Sequence, residues 1–392
     1  MEDFNETAFV INCRESGLYV QNVSTPETVE RLIYTRADLI ITGIVMPILL
    51  VFGWISNWSF LFVVYRVKYM HTITNLYLVN LAVSDVTFLS FAIGDKLWRF
   101  ASSDVYLDNV GKDVVDICVM YLFMNAAYFS GQFLISIIAV DRYYAVCKPL
   151  QQYKVNTLTR AVTWIVCSWC FAFVLAASMT PGYIIRKTVC ILWPDDEKYD
   201  EYPHTYVYFA TLSDSVKVYV ETIQTVPFFV NVIFETVLYV LIINGLHSRV
   251  STRASNGIFG GKLTEIRNQV TRMLIINGVM YILLMSPFQV YSLMTMASTF
   301  REARLTRIQL KMFLSIARVL VYSNAVINPI IYSLSSKRYR KAFVRAFSCR
   351  GSNFQGGSFC ASASYKRRGT QATSVRRTDS ISPNESSNST YF

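Results

Sequence analysis

Charged and polar side chains inside long apolar runs are the residues of this sequence that could do chemistry. The run from Val119 to Val140 carries no charged residue and ends at Asp141, Arg142 and Tyr143. It is long enough to cross a hydrocarbon core of roughly 30 Å. An arginine at the edge of such a core is costly unless it is paired or used, and the neighbouring aspartate offers a charge-assisted hydrogen bond. The triplet therefore predicts a local ion pair at one water interface.

A second group of polar residues lies inside other apolar runs. Asn57 is in the first run, Asn80 and Asp85 are in the second, and Asn324 and Asn328 are in the last. Each is expensive in lipid and is expected to face the interior of a helix bundle. Asn324 and Asn328 are four residues apart and share one helix face. The plain interpretation of any one of them is a satisfied interhelical hydrogen bond.

Seven apolar runs position these residues. They cover about 39–65, 74–98, 114–146, 159–181, 218–246, 270–297 and 310–333. The connections after runs one, three, five and seven are basic, whereas the longest connection, 182–217, is acidic. Basic short loops stay in the cytoplasm, so we expect the N-terminus outside and the C-terminus inside a multi-pass plasma-membrane protein.

Composition agrees with a membrane protein and argues against other classes. Of the 392 residues, 53% are apolar and 16% are charged, against about a quarter charged in soluble domains. The net charge of +11 follows the inner loops, which indicates topology rather than nucleic-acid binding. We find no catalytic or phosphate-binding motif and no cysteine spacing typical of a metal site, so neither an enzyme nor a metal cofactor is expected. Transporters usually show an internal repeat or paired broken helices, and we see neither.

Six motifs occur in a fixed order. Asn57 lies in run one, NLAVSD in two, DRY in three, Trp169 in four, Pro287 in six and NPIIY in seven. This order resembles that of the rhodopsin-like (class A) G-protein-coupled receptors, over roughly residues 39–347. The resemblance implies an all-α fold: a seven-transmembrane-helix bundle with a short amphipathic eighth helix and a disordered C-terminal tail. The corresponding parts are an extracellular tail, 1–38, the bundle, 39–334, the eighth helix, 335–348, and the cytoplasmic tail, 349–392.

The resemblance also implies roles for individual residues. A polar pocket able to take an allosteric sodium ion would be formed by Asn57, Asp85, Asn324 and Asn328. Coupling to the G protein and switching would use Asp141, Arg142, Tyr143, Tyr239, Pro287, Asn328, Pro329 and Tyr332. The sequence departs from the family pattern at four positions that bear on switching or on sodium, which are Gly131, Asn231, Tyr281 and Met285.

Longer stretches, such as MHTITNLYLVNLAVSD, resemble neuropeptide receptors, with the thyrotropin-releasing-hormone and neuromedin U receptors nearest. The implied function is a cell-surface receptor that binds an extracellular peptide and activates a heterotrimeric G protein. The alternatives are a receptor for a non-peptide ligand, and a scavenger or coreceptor without G-protein coupling. The expected ligand-binding residues are Asp95, Met124, Tyr128, Glu221, Gln289, Arg318 and Tyr322.

Two features of the expected ligand site have two interpretations each. Asp95 and Arg318 should lie at one depth, since each is ten residues, or about 15 Å, outward from a pocket residue. They would either line the ligand pocket or neutralise each other as a structural pair. The acidic loop 182–217 suits a basic peptide, but a run of charge is more often a solvated surface.

Further expectations concern covalent bonds and the tail. Cys118 and Cys190 both face the oxidising side, and we predict a disulfide between them, with Cys13 as the other cysteine on that side. Asn5 and Asn22 begin glycosylation sequons. Cys349 follows the amphipathic segment, which should lie on membrane lipid, and is a candidate for palmitoylation. Phosphorylation of the Ser/Thr-rich tail by receptor kinases would create charge for arrestin.

Overall fold

The structure is a computed structural model that describes residues 6–106, 108–255, 262–298 and 307–348. Within these ranges, seven helical segments are long and apolar enough to cross a membrane, and we number them as spans in chain order. They are Arg36–Arg66, Ile73–Ser102, Val114–Cys147, Leu158–Gly182, Asp214–His247, Asn268–Ala297 and Gln309–Ser335. Each coincides with one of the seven apolar runs, so the predicted seven-helix bundle is confirmed.

Several spans are parts of longer or composite helices. The first contains a π-helical turn at Ile41–Val45, two residues before Pro47, which cannot donate a backbone hydrogen bond. The fifth lies in the helix Asp214–Ser255, the sixth in Lys262–Ser298 and the seventh in Arg307–Ser335. The shorter α-helices of the described chain are Glu6–Glu15, Pro26–Leu32, Pro149–Val155 and Lys337–Phe347.

Local sequence signals set where several spans begin. Thr72 accepts a hydrogen bond from the backbone N–H three residues on, at the start of the second span, and Thr157 does the same before the fourth. Asp113 precedes the third span, and the Asp116 carboxylate accepts from its backbone N–H at 3.0 Å. Such caps satisfy backbone N–H groups that have no partner within the helix.

A three-stranded sheet lies at one end of the bundle. Its strands are β1, Tyr19–Asn22, β2, Ile185–Leu192, and β3, Thr205–Ala210. β2 pairs antiparallel with β3, and β1 adds parallel to β2 with Val20 opposite Cys190. The all-α prediction did not include this sheet, because its strands are short and one lies in the N-terminal segment. We call this end of the bundle the sheet end and the opposite end the Arg142 end.

The third span lies at the centre of the bundle. In its most apolar window 61% of the residues are buried, against 17% in the first span. Large apolar side chains such as Ile233 and Leu334 are 67% and 71% exposed on the outside. Polar residues, by contrast, are buried between spans. This is the reverse of a soluble protein, and it follows because lipid rather than water surrounds the helices.

Candidate functional site

The Arg142 side chain is held from two sides at its end of the bundle. Its Nη2 forms an ion pair with Asp141 and donates a hydrogen bond to the hydroxyl of Thr74, on the second span. Thr74 donates to the Asp141 carboxylate at 3.1 Å. Arg142 is 7% exposed, so the pair is largely shielded from solvent. Thr74 contacts both members of the ion pair, although no sequence motif indicated a role for it.

A small cavity separates Arg142 from Tyr239 on the fifth span. The third, fifth and sixth spans line it, and Asn277 contributes its amide. Arg142 Nε and Asn277 Oδ1 are buried without a hydrogen-bond partner among the described residues. The Tyr239 ring packs on Gly278, where an added Cβ would lie 1.8 Å from the hydroxyl oxygen. This glycine therefore provides the space that the Tyr239 side chain occupies.

The seventh span brings Tyr332 into the same half of the bundle. Its side chain is 1% exposed, and its ring centroid lies 5.4 Å from that of Phe60 and 5.9 Å from that of Tyr339. Its hydroxyl has no partner among the described residues. A buried phenol of this kind would gain a hydrogen bond in an arrangement of the bundle that brings a polar group or a water molecule to it.

The remaining residues expected to switch lie nearby or within the helices. Pro287 is inside the sixth helix and Pro329 inside the seventh, where each removes one backbone hydrogen bond. Tyr143 packs edge-on against Tyr144, with ring centroids 5.7 Å apart.

A polar pocket joins the first, second and seventh spans. The Asn328 amide donates to the Asp85 carboxylate at 2.7 Å. The Asn57 amide donates at 3.0 Å to the backbone carbonyls of Gly53 and Ala325. All these side chains are buried. The structure thus brings together residues that are more than 240 positions apart in the sequence.

Buried oxygen atoms on the second, third and seventh spans are of the kind that a small hard cation prefers. Ser130 Oγ and Asn324 Oδ1 are buried without a partner among the described residues, and Asp85 supplies a carboxylate. Hard cations prefer such oxygen ligands. A Cβ at Gly131 would lie 3.1 Å from Ser84 Oγ, so a serine side chain there would be crowded. Ser130 therefore carries a third-span hydroxyl without a partner among the described residues, and the sodium ion that the sequence resemblance implies stays a prediction.

At the sheet end, Asp95 is surrounded by cations. Its carboxylate lies 2.7 Å from Lys112 Nζ, 2.8 Å from Arg99 Nη2 and 3.2 Å from Lys96 Nζ. The Asp95 side chain is 3% exposed. Sequence reasoning missed these cations, although Asp95 and Arg99 are four residues apart and share a helix face.

Arg318 forms no ion pair with Asp95, so the alternative in which the two neutralise each other as a structural pair is wrong. Arg318 Nη1 instead donates to the Tyr106 hydroxyl at 3.4 Å. No carboxylate lies within ion-pair distance of Arg318 among the described residues. The reason is that Lys96 and Arg99 lie on the same helix as Asp95 and reach its carboxylate first. Arg318 therefore has N–H donors that no carboxylate among the described residues occupies.

The other expected ligand-binding residues lie between the sheet end and the bundle centre. Gln289 Nε2 donates to the Tyr128 hydroxyl at 2.5 Å and so joins the sixth and third spans. Phe88 lies between the rings of Tyr128 and Tyr322, 6.1 and 6.0 Å from their centroids. Met124 and Glu221, from the third and fifth spans, are partly buried. Glu221 Oε2 has no partner among the described residues.

The predicted disulfide between Cys118 and Cys190 is wrong. Cys190 is bonded to Cys13, with 6.6 Å between their Cα atoms, and Cys118 is a free thiol. Successive residues of an α-helix are rotated by about 100°, and Ile117 takes the inward position, with 1% exposure. Pairing of β1 beside β2 brings Cys13 close to Cys190. The disulfide therefore joins the N-terminal segment to the sheet, not to the third span.

The expected modification sites lie at the margins of the described chain. Asn22 ends β1 and is exposed, whereas Asn5 and Cys349 lie outside the described residues, as does the tail 349–392. Tyr339, Ala342 and Ala346 form the buried face of the helix Lys337–Phe347.

Comparison with known proteins decides the family. The model of the 7 transmembrane receptor (rhodopsin family) matches residues 56–332, which is more than half of the 392 residues. The chain belongs to the rhodopsin family of seven-transmembrane receptors. It is thus a multi-pass membrane receptor and not an enzyme.

Several curated relatives of this receptor are similar over most of its length. The thyrotropin-releasing hormone receptor of Homo sapiens is 27% identical over 84% of this chain and 85% of its own. Growth hormone secretagogue receptor type 1 of Oryctolagus cuniculus is 30% identical over 75% of this chain and 77% of its own. The neuromedin U receptor homolog nmur-2 of Caenorhabditis elegans is 26% identical over 77% of this chain and 79% of its own.

Proposed function

We propose that this receptor lies in the plasma membrane with its N-terminus outside, binds an extracellular peptide at the sheet end and activates a heterotrimeric G protein at the Arg142 end. The relatives carry the names of peptide-hormone receptors, which supports a peptide ligand. The basic residues of the short connections at the Arg142 end favour the cytoplasm for that end, while the acidic connection lies at the sheet end. The observation that carries the proposal is the shielded Asp141–Arg142 pair beside a cavity.

The pair can act as one position of a two-state switch. In the resting state Asp141 and Thr74 hold the guanidinium, and Tyr239 occupies the space over Gly278. Outward movement of the sixth span, with Pro287 as the place of bending, would enlarge the cavity and free both side chains. Tyr239 and Tyr332 would then stabilise the arrangement in which the Arg142 side chain points toward the G protein. A ligand and a G protein that each prefer this open arrangement favour each other's binding.

The ligand would enter between the spans at the sheet end. The proposed contact residues come from the second, third, fifth, sixth and seventh spans, so one ligand could bias their relative positions. They are Asp95, Met124, Tyr128, Glu221, Gln289, Arg318 and Tyr322. The Tyr128–Gln289 hydrogen bond supports this proposal, because it joins the central third span to the sixth span on the sheet-end side of Pro287.

The remaining parts would serve the membrane and regulatory partners. We assign 1–38 to the extracellular tail, 39–334 to the bundle, 335–348 to the amphipathic helix and 349–392 to the cytoplasmic tail. The amphipathic helix exposes Arg340, Lys341 and Arg345, which suits anionic lipid headgroups. Glycans on Asn5 and Asn22, a palmitoyl group on Cys349, and tail phosphorylation by receptor kinases for arrestin complete the proposal.

The central experiment replaces Arg142 by alanine. Nucleotide exchange on purified G proteins should be lost, while the amount of receptor at the cell surface stays largely the same. Arg66→Ala is the matched control, because it removes an exposed arginine from the same end of the bundle and should leave exchange intact. Normal exchange in the Arg142 variant would contradict the role of Arg142 in coupling. Absence of exchange in the unmodified receptor would contradict G-protein coupling itself and favour the scavenger or coreceptor alternative.

A further inference from the structure

A cavity of about 280 Å³ lies at the sheet end, apart from the Tyr128–Gln289 pair. The tops of the second and third spans contribute Arg99 and Tyr121, and β3 contributes Tyr206 and Tyr208. Tyr183, just after the fourth span, closes one side. None of these residues belongs to the ligand contacts proposed above. Arg99 is the one charged side chain in the described lining.

The charges around this cavity do not balance. Among the described residues, Asp95 is the one carboxylate in ion-pair contact with Lys96, Arg99 and Lys112, so three basic side chains share one acidic partner. Their cationic side chains are 11–19% exposed. Partly buried basic groups in excess of their acidic partners are unfavourable, and an anion from outside would offset that cost. Arg318, which has no carboxylate partner among the described residues, adds a further positive charge at this end.

Arg99 offers an unused donor to such an anion. Its Nε donates to Asp95 at 3.2 Å, and its Nη2 contacts Asp95 at 2.8 Å and the Tyr121 hydroxyl at 3.3 Å. Its Nη1 has no hydrogen-bond partner in the described part of the chain. Asp95 and Tyr121 fix the orientation of the guanidinium, so less entropy is lost when it binds a carboxylate.

The other walls supply aromatic surface and further donors. Tyr121 and Tyr183 are stacked, with ring centroids 4.1 Å apart and an interplanar angle of 11°. Burial raises the pKa of Tyr183 above the ordinary value, so its hydroxyl stays protonated and can donate to an anion, whereas the Tyr206 hydroxyl donates to Gln21 Oε1 at 3.1 Å. Such walls suit a planar apolar or aromatic group next to the negative charge.

We propose that this cavity is an anion subsite that binds a carboxylate of the ligand, carried on or beside an aromatic residue, through Arg99 and the surrounding tyrosine hydroxyls. The inference rests on the proposed function, because it names the chemistry of the peptide that this receptor takes. The acidic connection 182–217 does not alter it. Asp195, Asp196 and Glu197 are exposed, and Asp196 pairs with Lys198 at 2.8 Å. That run is a solvated surface, and an acidic peptide suits the cavity better than a basic one.

The test uses the purified full-length receptor in lipid nanodiscs, without G protein. Two probes, N-acetyl-tyrosine and N-acetyl-tyrosinamide, differ only in the carboxylate, and their affinities are measured by ligand-observed NMR titration. We expect the acid to bind about tenfold more tightly than the amide, or better, because a hydrogen bond to a charged group is the difference. In Arg99→Gln this preference should fall to about threefold or less.

Lys187→Gln is the matched control, since it removes one positive charge from an exposed position of β2 and should keep the preference. Equal affinities of acid and amide for the unmodified receptor, or binding of neither, would overturn the subsite. So would an unchanged preference in Arg99→Gln. If that variant does not fold, the comparison of the two probes on the unmodified receptor still tests whether the receptor prefers a carboxylate.

Failure of the subsite can be separated from failure of the proposed function. Nucleotide exchange that depends on Arg142, without any preference for the acid, would reject the subsite alone. A clear preference for the acid in a receptor that never activates a G protein would support the subsite and contradict G-protein coupling.

Discussion

Gly278 holds the space that Tyr239 occupies, and replacing it by alanine should raise the basal activity of the receptor. The added Cβ would lie 1.8 Å from the Tyr239 hydroxyl oxygen, 2.4 Å from Cζ and 2.7 Å from Cε2. Contacts under 3.0 Å are essentially never found for Cβ atoms. The hydroxyl must therefore withdraw by at least 1.2 Å, the difference between 3.0 and 1.8 Å. The cavity beside Arg142 is the open space next to it.

The magnitude follows from the cost of overpacking. Forcing a methyl group into a packed site typically costs about 1–3 kcal/mol, and here that cost falls on the resting arrangement. If the open arrangement moves Tyr239 away from Gly278, it escapes this cost. A shift of about 1 kcal/mol changes the ratio of the two states roughly fivefold. If only a small fraction of receptors is active at rest, basal nucleotide exchange should rise by about that factor or more.

The assay is the initial rate of GTPγS binding in membranes at matched receptor density, without ligand. Gly94→Ala is the control, because it makes the same change inside the second span, where the new Cβ would meet no neighbouring side chain within 4 Å. A basal rate in Gly278→Ala equal to or below that of the control, at normal surface expression, would refute the role of Tyr239 as a resting contact.

Three further predictions concern stability. Cys13→Ser should remove the disulfide and about 2–4 kcal/mol of stability, whereas Cys118→Ser should leave the melting temperature unchanged, as thermal unfolding of purified receptor would show. Glu235→Gln should raise that temperature, since the carboxylate is fully buried with one oxygen unpartnered among the described residues; a lower temperature would contradict this reasoning. Tyr128→Phe should remove the hydrogen bond from Gln289 and destabilise the receptor by about 1 kcal/mol, and an unchanged melting temperature would speak against that bond.

The fully buried Glu235 shows how tertiary contacts complete a site that a motif search passes over. Its carboxylate accepts from Asn231 at 2.9 Å, and Asn231 is hydrogen-bonded to Ser136 of the third span. Asn231 stands where the family pattern has a proline, and only its contacts explain the polar replacement. The sequence around a single glutamate in an apolar run does not indicate which residues the glutamate contacts.

The features that could be predicted from the sequence are local or periodic. Apolar runs of about 20 residues force helices in lipid, because every backbone group must be satisfied within its segment. The order of short motifs then predicted the bundle, and the adjacency of Asp141 and Arg142 predicted their pairing. These features survive folding unchanged, since they depend on neighbours along the chain or on one helix.

The choice among distant partners depended on the three-dimensional packing. Cys190 could bond Cys13 or Cys118, and pairing of β1 with β2 settled it across a sequence separation of 177 residues. Asp95 had Arg318 as one candidate at the same depth, but three other cations reached it first. A one-residue rotation of about 100° in a helix, or a strand added to a loop, changes which side chains meet. Helix rotation and strand pairing are both determined by packing between secondary-structure elements.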